Sequence, residues 1–284
     1  MFSFIDLDHL FLPSPIANAL WLLKHSDEAK LVRKNIKLKE AYNGKRCFIV
    51  ANGPSLSREN LALLKNEIVF TCNLFPNSEL FKKINPTFHV VTDPLFYNSD
   101  TTSMNNVISN LRNKGVRVLF FNSSAKNFIN SNHINDSFDV YYISQFFLKG
   151  LTCQINLASC IPTFPTVTQV EICIALYLGF SKIYLLGCDC TGFVSLASTR
   201  QKSSFRKSDL KNAYAFNLNE TDKRLVNKNL STRPIEEELR GYATIFENYI
   251  KLNSYCKKHD ISLVNLSSGG VLTYLPEDKL DSII

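Results

Sequence analysis

The 284-residue chain has no C-x-x-C pair, and nothing completes Cys188-x-Cys190, so the usual zinc frameworks are excluded. The eight cysteines, at 47, 72, 153, 160, 173, 188, 190 and 256, are scattered. Cys47, Cys173 and Cys188 lie inside apolar runs, where the residue behaves as a small hydrophobe. The N-terminus has no basic leader and is interrupted by Asp6 and Asp8. Both features lead to the expectation of a reducing, cytoplasmic setting. No apolar run approaches the ~20 residues that span a bilayer. The lysine of a Walker loop and the three-glycine dinucleotide fingerprint are both missing. The five histidines form no Ser-His-Asp or Cys-His arrangement, and His89 falls within an apolar strand, as a core residue would. Asp6-Leu7-Asp8 has the form of a metal-binding pair but follows no strand. A net charge of +7, with no basic patch interleaved with aromatics, gives no reason to expect nucleic acid as a partner.

Hydrophobic residues make up 45% of the chain and charged ones 20%, as in ordinary globular domains with a sizeable core. The most telling segment runs from Lys45 to Leu56. An apolar stretch, Cys47 to Ala51, passes directly into Asn52-Gly53-Pro54-Ser55 and then into a polar segment. That pattern predicts a buried parallel strand, a tight turn and a helix starting near Ser57, its N-cap, and reaching about Lys65. Backbone N–H groups at such a corner suit a phosphate-bearing ligand.

Further strands are predicted at 67–71, 88–92, 116–121, 138–143, 182–186 and 262–265. Helices are predicted at 166–178, stopped by Gly179, and at about 235–258. Residues 1–43 read as a mostly helical extension and 44–284 as the main domain, with a polar lid insert at about 191–235. Alternating strands and helices define an α/β fold with a doubly wound, mostly parallel, Rossmann-like sheet. The apolar stretch after Leu10, followed by Lys24, Lys30, Arg33, Lys34, Lys37 and Lys39, has two readings. The preferred one is a helix packed on the main domain. The other is peripheral contact with an anionic leaflet through residues 10–39.

In such sheets ligands bind beyond the carboxyl ends of the strands. Those ends carry Asn52, Asn73, Asp93, Asn122 and, after Gly187, Asp189. Asn and Asp also favour the turns that end strands, so the argument rests on their convergence. Pro165-Thr166-Val167-Thr168 offers a second cradle, or an ordinary helix cap. Asp93 and Asp189, read as ends of neighbouring strands, are the one carboxylate pair that suits Mg²⁺. Arg233, Arg240 and Tyr242 either close over phosphates or decorate a solvated helix.

Several segments resemble a known superfamily. They are Ile-Val-Ala-Asn-Gly-Pro-Ser-Leu at 49–56, Thr-Cys-Asn-Leu-Phe at 71–75, Pro-Thr-Phe-His-Val-Val-Thr-Asp at 86–93, Thr166-Val167-Thr168, the run from Leu178 to Asp189, and Asn-Leu-Ser-Ser-Gly-Gly at 265–270. Over about 44–275 the chain resembles the bacterial sialyltransferases of glycosyltransferase family 42. It resembles at least as closely the DUF115 family, which is similar to archaeal 6-hydroxymethyldihydropterin diphosphokinase and common in bacterial surface-polysaccharide loci. The resemblance implies nucleotide contacts at Asn52, Gly53, Pro54, Ser55, Asn73, Thr166, Val167, Thr168, Gly187 and Asp189. The sialyltransferases use a histidine base just before the last helix, and here Leu239-Arg240-Gly241-Tyr242-Ala243 has none. Asp93 and Tyr242 are the remaining catalytic candidates, with Arg233 and Arg240 as phosphate contacts from the lid. The implied activity is a glycosyltransferase of surface-polysaccharide synthesis, placed in the cytoplasm or at the inner face of the membrane. It would use CMP-sialic acid or a related CMP-sugar, act on a glycan or glycolipid acceptor and need no cofactor. The alternatives are a Mg-ATP diphosphokinase that uses Asp93 and Asp189, and a non-catalytic nucleotide-binding protein.

Overall fold

The computed structural model describes residues 12–98, 101–151, 155–194, 214–229 and 234–284. Eight strands form one sheet: β1 (Arg46–Val50), β2 (Val69–Cys72), β3 (Phe88–Val91), β4 (Val118–Asn122), β5 (Asp139–Phe146), β6 (Cys160–Pro162), β7 (Lys182–Leu186) and β8 (Ser262–Asn265). Every pairing is parallel, in the order β6-β5-β4-β3-β2-β1-β7-β8. The chain builds outward from β1 to β6, then returns to the other side of β1 for β7 and β8. The reversal places the switch point at the carboxyl end of β1, where Asn52 stands.

Both faces of the sheet are covered, so β1 is buried from Cys47 through Val50. Phe48 and Val50 enter one core, shared with Trp21 and with Met104, Val107 and Leu111 of the helix Thr102–Lys114. Cys47, Ile49 and Ala51 enter the other, covered by the helices Val167–Leu178 and Ile235–Lys258. The first of these two helices is buried from Thr168 to Leu178, as its nearly continuous apolar sequence requires. It ends at Gly179, whose φ of +88° is ready for glycine and strained for other residues. There the N–H groups of Glu40, Tyr42 and Gly44 bond the carbonyls of Tyr177, Leu178 and Gly179.

The extension folds as helices Ser14–Lys24 and Ser26–Val32 and a 3₁₀ segment, Arg33–Leu38. It packs against β5: Trp21 Nε1 donates to Ser144 Oγ at 2.9 Å, and Asn35 Nδ2 to the Tyr142 carbonyl at 2.7 Å.

The predicted helix at 57–65 is absent. Two 3₁₀ segments, Pro54–Arg58 and Leu61–Asn66, take its place. Ser57 caps nothing; its hydroxyl donates to the Pro54 carbonyl at 2.8 Å. Ser55, Ser57 and Asn60 bring side chains that compete locally with helical bonding, and Leu56, Leu61 and Leu64 are all buried under the sheet. The short strand β6 and the helix Thr102–Lys114 have no counterpart among the predicted elements. Most of the lid insert lies outside the described residues; its later part includes a helix, Glu220–Asn229. Among the described residues no helix is long and apolar enough to cross a membrane.

Candidate functional site

A cleft of about 420 Å³ opens at the switch point. Asn52, Gly53 and Pro54 after β1, Thr166, Val167 and Thr168 at a helix start, Gly187 and Asp189 after β7, and Tyr242 all line it. The turns after β1 and β7 are welded together. Gly53 N–H donates to the Gly187 carbonyl at 2.8 Å, and Ser55 N–H to Asp189 Oδ2 at 2.8 Å. A Cβ on Gly53 would collide with the Asp189 carboxylate and the Gly187 carbonyl, so this position requires glycine. Asp189 is 4% exposed, and burial raises its carboxyl above the usual range, partly offset by Ser55 and by the nearby Arg58 charge. The Ser55 hydroxyl lies near that carboxylate but outside hydrogen-bonding geometry.

Five buried side-chain atoms around this corner have no partner: Asn52 Oδ1, Ser55 Oγ, Asn73 Oδ1, Thr166 Oγ1 and Asp189 Oδ1. Native proteins leave few such atoms, so each calls for a partner, from water or from a ligand. Asn73 directly follows β2 with φ +50° and is not among the residues that line the cleft. Thr166 stands at the N-cap position without making the cap bond; its hydroxyl lies near the Tyr249 phenol but outside hydrogen-bonding geometry. Because the Asn52 corner is a 3₁₀ turn of five residues, helix dipole plays no part there.

The structure does not bring every predicted residue together. Asp93 Oδ1 accepts the Leu95 N–H at 2.9 Å, and the residue does not line the cleft. Asp93 and Asp189 are not on neighbouring strands: β2 and β1 lie between β3 and β7, three spacings or about 14 Å across the sheet. Magnesium ligands sit about 2 Å from the ion, so this pair does not fit a shared Mg²⁺. Among the described residues no three His, Cys, Asp or Glu converge as a metal site. Arg240 is exposed and does not line the cleft, and Arg233 lies outside the described residues. Tyr242 packs against Gly192 and Phe193; burial raises its phenol above the ordinary range, so at neutral pH it donates hydrogen bonds and is no base. His89 is fully buried, its pKa lowered to about 3 by desolvation, and bonds Thr71 Oγ1 at 2.9 Å; it is a neutral core residue.

Glu238, Ile245, Tyr249, Tyr214 and Glu171 escaped the sequence reading. The first three share with Tyr242 one stripe of the helix Ile235–Lys258 along the cleft, so the i, i+4 spacing to Tyr242 was the available signal for Glu238 and the i, i+7 spacing for Tyr249. Tyr214 lines the cleft from within the insert, beside Ala215, whose N–H bonds the Asn52 carbonyl at 2.7 Å. Glu171 is fully buried, neither carboxyl oxygen has a partner, and desolvation raises its pKa well above 4.5. Its charge would act on the thiols of Cys47, Cys72 and Cys188, the last two lining the cleft.

An all-parallel α/β sheet with a cleft at its switch point defines the class as a doubly wound, Rossmann-like fold. More particularly, residues 22–192 match the model of the MptE-like 6-hydroxymethylpterin diphosphokinase family, and the chain belongs to that family. Solved structures similar to it include two sialyltransferases. Sialyltransferase CstII from Campylobacter jejuni, in complex with the substrate analogue CMP-3FNeuAc, is 18% identical over 82% of this chain and 85% of its own, with a TM-score of 0.48. The monofunctional alpha-2,3-sialyltransferase Cst-I from Campylobacter jejuni is 15% identical over 82% and 80%, with a TM-score of 0.47. No curated protein sequence matches the chain.

Proposed function

We propose that the chain is a glycosyltransferase that takes its sugar from a nucleotide-activated donor of the CMP-sugar type, for surface-polysaccharide synthesis on a glycan or glycolipid acceptor. The observation that carries this reading is the ring of unpartnered atoms at the switch point. Three of them, Asn52 Oδ1, Asn73 Oδ1 and Asp189 Oδ1, are acceptors in search of donors, which ribose hydroxyls and a base amino group supply. The Ser55 and Thr166 hydroxyls can donate to a phosphate. Reaction is direct displacement: the acceptor hydroxyl attacks the anomeric carbon, and the nucleotide departs with the bonding pair. The hydroxyl proton passes to a base. Glu238, a carboxylate that lines the cleft one helical turn before Tyr242, takes that role in place of the missing histidine. Tyr242, protonated, hydrogen-bonds donor or acceptor.

The family description favours a second reading, diphosphate transfer from Mg-ATP. Asp93 and Asp189, three strand spacings apart, do not converge on one ion for it.

Thermal-shift titration with CMP, CMP-3FNeuAc, UDP, GDP and ATP, each with and without Mg²⁺, separates the readings. Metal-free stabilisation by CMP and its sugar analogue supports the first. Stabilisation by ATP that requires Mg²⁺ supports the second. No response to any of them leaves a protein without nucleotide function at this cleft.

A further inference from the structure

The helix Ser14–Lys24 is apolar on two opposite faces. Ser14, Ala17 and Trp21 form the stripe that enters the core. Ile16, Leu22 and Leu23 face solvent, 52%, 51% and 82% exposed, and Ile36 on the following 3₁₀ segment is 57% exposed. Soluble proteins commonly scatter such side chains singly; here three large aliphatics belong to one short helix and the fourth to a nearby 3₁₀ segment. A groove of about 600 Å³ runs from Leu22 and Ile36 toward Tyr177 and Tyr255, and Lys30, Arg33 and Lys39 border it.

The same segment is basic. Residues 12–45 hold seven Lys or Arg against three Asp or Glu. Of the acids, Glu28 is turned inward, where it accepts from Ser123 and Ser144. Asp27 lies 3.1 Å from Lys30 in an exposed pair, and Glu40 lies 4.0 Å from Lys39. Exposed pairs of this kind are loose and exchange partners readily. Lys34 and Lys37 lie over Tyr141 instead.

We propose that this apolar stripe and its basic border dock the protein on an anionic lipid bilayer. Ile16, Leu22, Leu23 and Ile36 enter the headgroup–acyl boundary, and Lys24, Lys30, Arg33 and Lys39 meet lipid phosphates. Charge complementarity and an aliphatic face already free of the core select this occupant. The Trp21 bond to Ser144 and the Leu12 N–H bond to the Leu148 carbonyl hold the helix near the carboxyl end of β5, while Lys34 bonds the Val140 carbonyl near its start and Ile36 and Lys39 reach Tyr177, so the surface runs along the flank of the sheet. The proposal stands independently of what the cleft binds.

The test is co-sedimentation of the full chain with phosphatidylcholine vesicles and with vesicles that also contain phosphatidylglycerol, at low and high salt. The protein is expected to bind the anionic vesicles at least tenfold better and to be released by salt. L22D with L23D abolishes binding. K30E with R33E lowers it about tenfold or more, at roughly fivefold for each basic residue near the surface. These side chains are exposed, so melting temperatures should stay at the wild-type value; I36D, on a separate segment, provides the same test if the helix variants melt early. Failure of the wild type to bind anionic vesicles overturns the proposal. So does equal binding to neutral vesicles, or a solution dimer that the aspartate variants dissociate while vesicle binding is absent. Nucleotide thermal shifts in the same variants stay unchanged, so this surface and the cleft are judged separately.

Discussion

Glu171 gives the sharpest prediction about stability. It is fully buried between a helix and the sheet, its two carboxyl oxygens unpartnered, and burial raises its pKa well above 4.5. In the folded state the carboxyl stays protonated where the unfolded chain has already ionised. Below pH 4.5 both states carry the proton, and the group adds no pH dependence. Above that value the unfolded state alone releases it, so stability falls by about 1.4 kcal/mol per pH unit until the folded-state pKa is reached. Replacement by methionine removes the ionisable group and two unsatisfied oxygens at nearly constant volume. Each such oxygen costs about 1–3 kcal/mol when buried without a partner. E171M should therefore be more stable than wild type at pH 7, and its advantage should shrink as pH is lowered toward 5. The assay is urea unfolding of both proteins at half-unit steps of pH, with thermal melting as a check. In melting, the difference should change by about 2–3 °C per pH unit. Parallel pH profiles for the two proteins would refute the reasoning, as would an E171M that is less stable at pH 7.

G53A should lose the response to nucleotide and melt earlier, because the new methyl displaces the Asp189 carboxylate and the Gly187 carbonyl; overpacking of this kind costs about 1–3 kcal/mol. N73G should keep its stability within about 1 kcal/mol, since φ +50° suits glycine, yet lose most of the nucleotide thermal shift along with the side-chain carbonyl oxygen. E238Q should retain nucleotide binding and lose sugar transfer, with kcat reduced about a hundredfold or more and the donor KM little changed, as measured by release of free nucleotide. W21A should cost about 3–5 kcal/mol in denaturant unfolding, from a cavity under the extension and a Ser144 hydroxyl stripped of its indole donor.

The elements read correctly from sequence are those whose pattern has one physical cause. Lys182–Leu186, Ile235–Lys258 and Ser262–Asn265 match their predicted bounds because an apolar strand or an amphipathic helix stops at a sharp change in polarity. The 57–65 segment failed because its leucines mimic helical spacing, whereas the Ser57 hydroxyl bonds back to the Pro54 carbonyl and the chain folds as two 3₁₀ segments. β6 escaped because three residues of strand carry too little pattern. Of the candidate site, the residues in turns that directly follow β1 and β7 were legible, since strand ends in a parallel sheet point to one side. The relation of Asp93 to Asp189 was not, because strand order is a property of long-range pairing and periodicity along the chain carries no trace of it. The extension shows another limit. An apolar helix can serve the core and a second surface at once, and composition alone offers those as alternatives.

Unpartnered buried atoms occur here in two settings, and the difference between them says what each is for. Those of Glu171 are sealed below the sheet's carboxyl edge among apolar side chains and thiols, where only a proton can relieve them. Asn52 and Asp189 border a cleft of about 420 Å³, and Thr166 borders it from the opposite wall. If the orphans at the cleft were mere packing defects, mutating them to apolar residues would stabilise the protein, as at Glu171. If they await a ligand, the free protein carries their desolvation cost and the bound one does not. Ligand stabilisation then exceeds what contact area alone supplies, and each orphan removed should raise the free protein's melting point while it lowers the bound one's. T166V is the simplest such substitution, nearly isosteric and at a helix start that makes no cap bond to lose. Opposite signs in the free and bound states assign Thr166 to the ligand; the same sign in both assigns it to the scaffold.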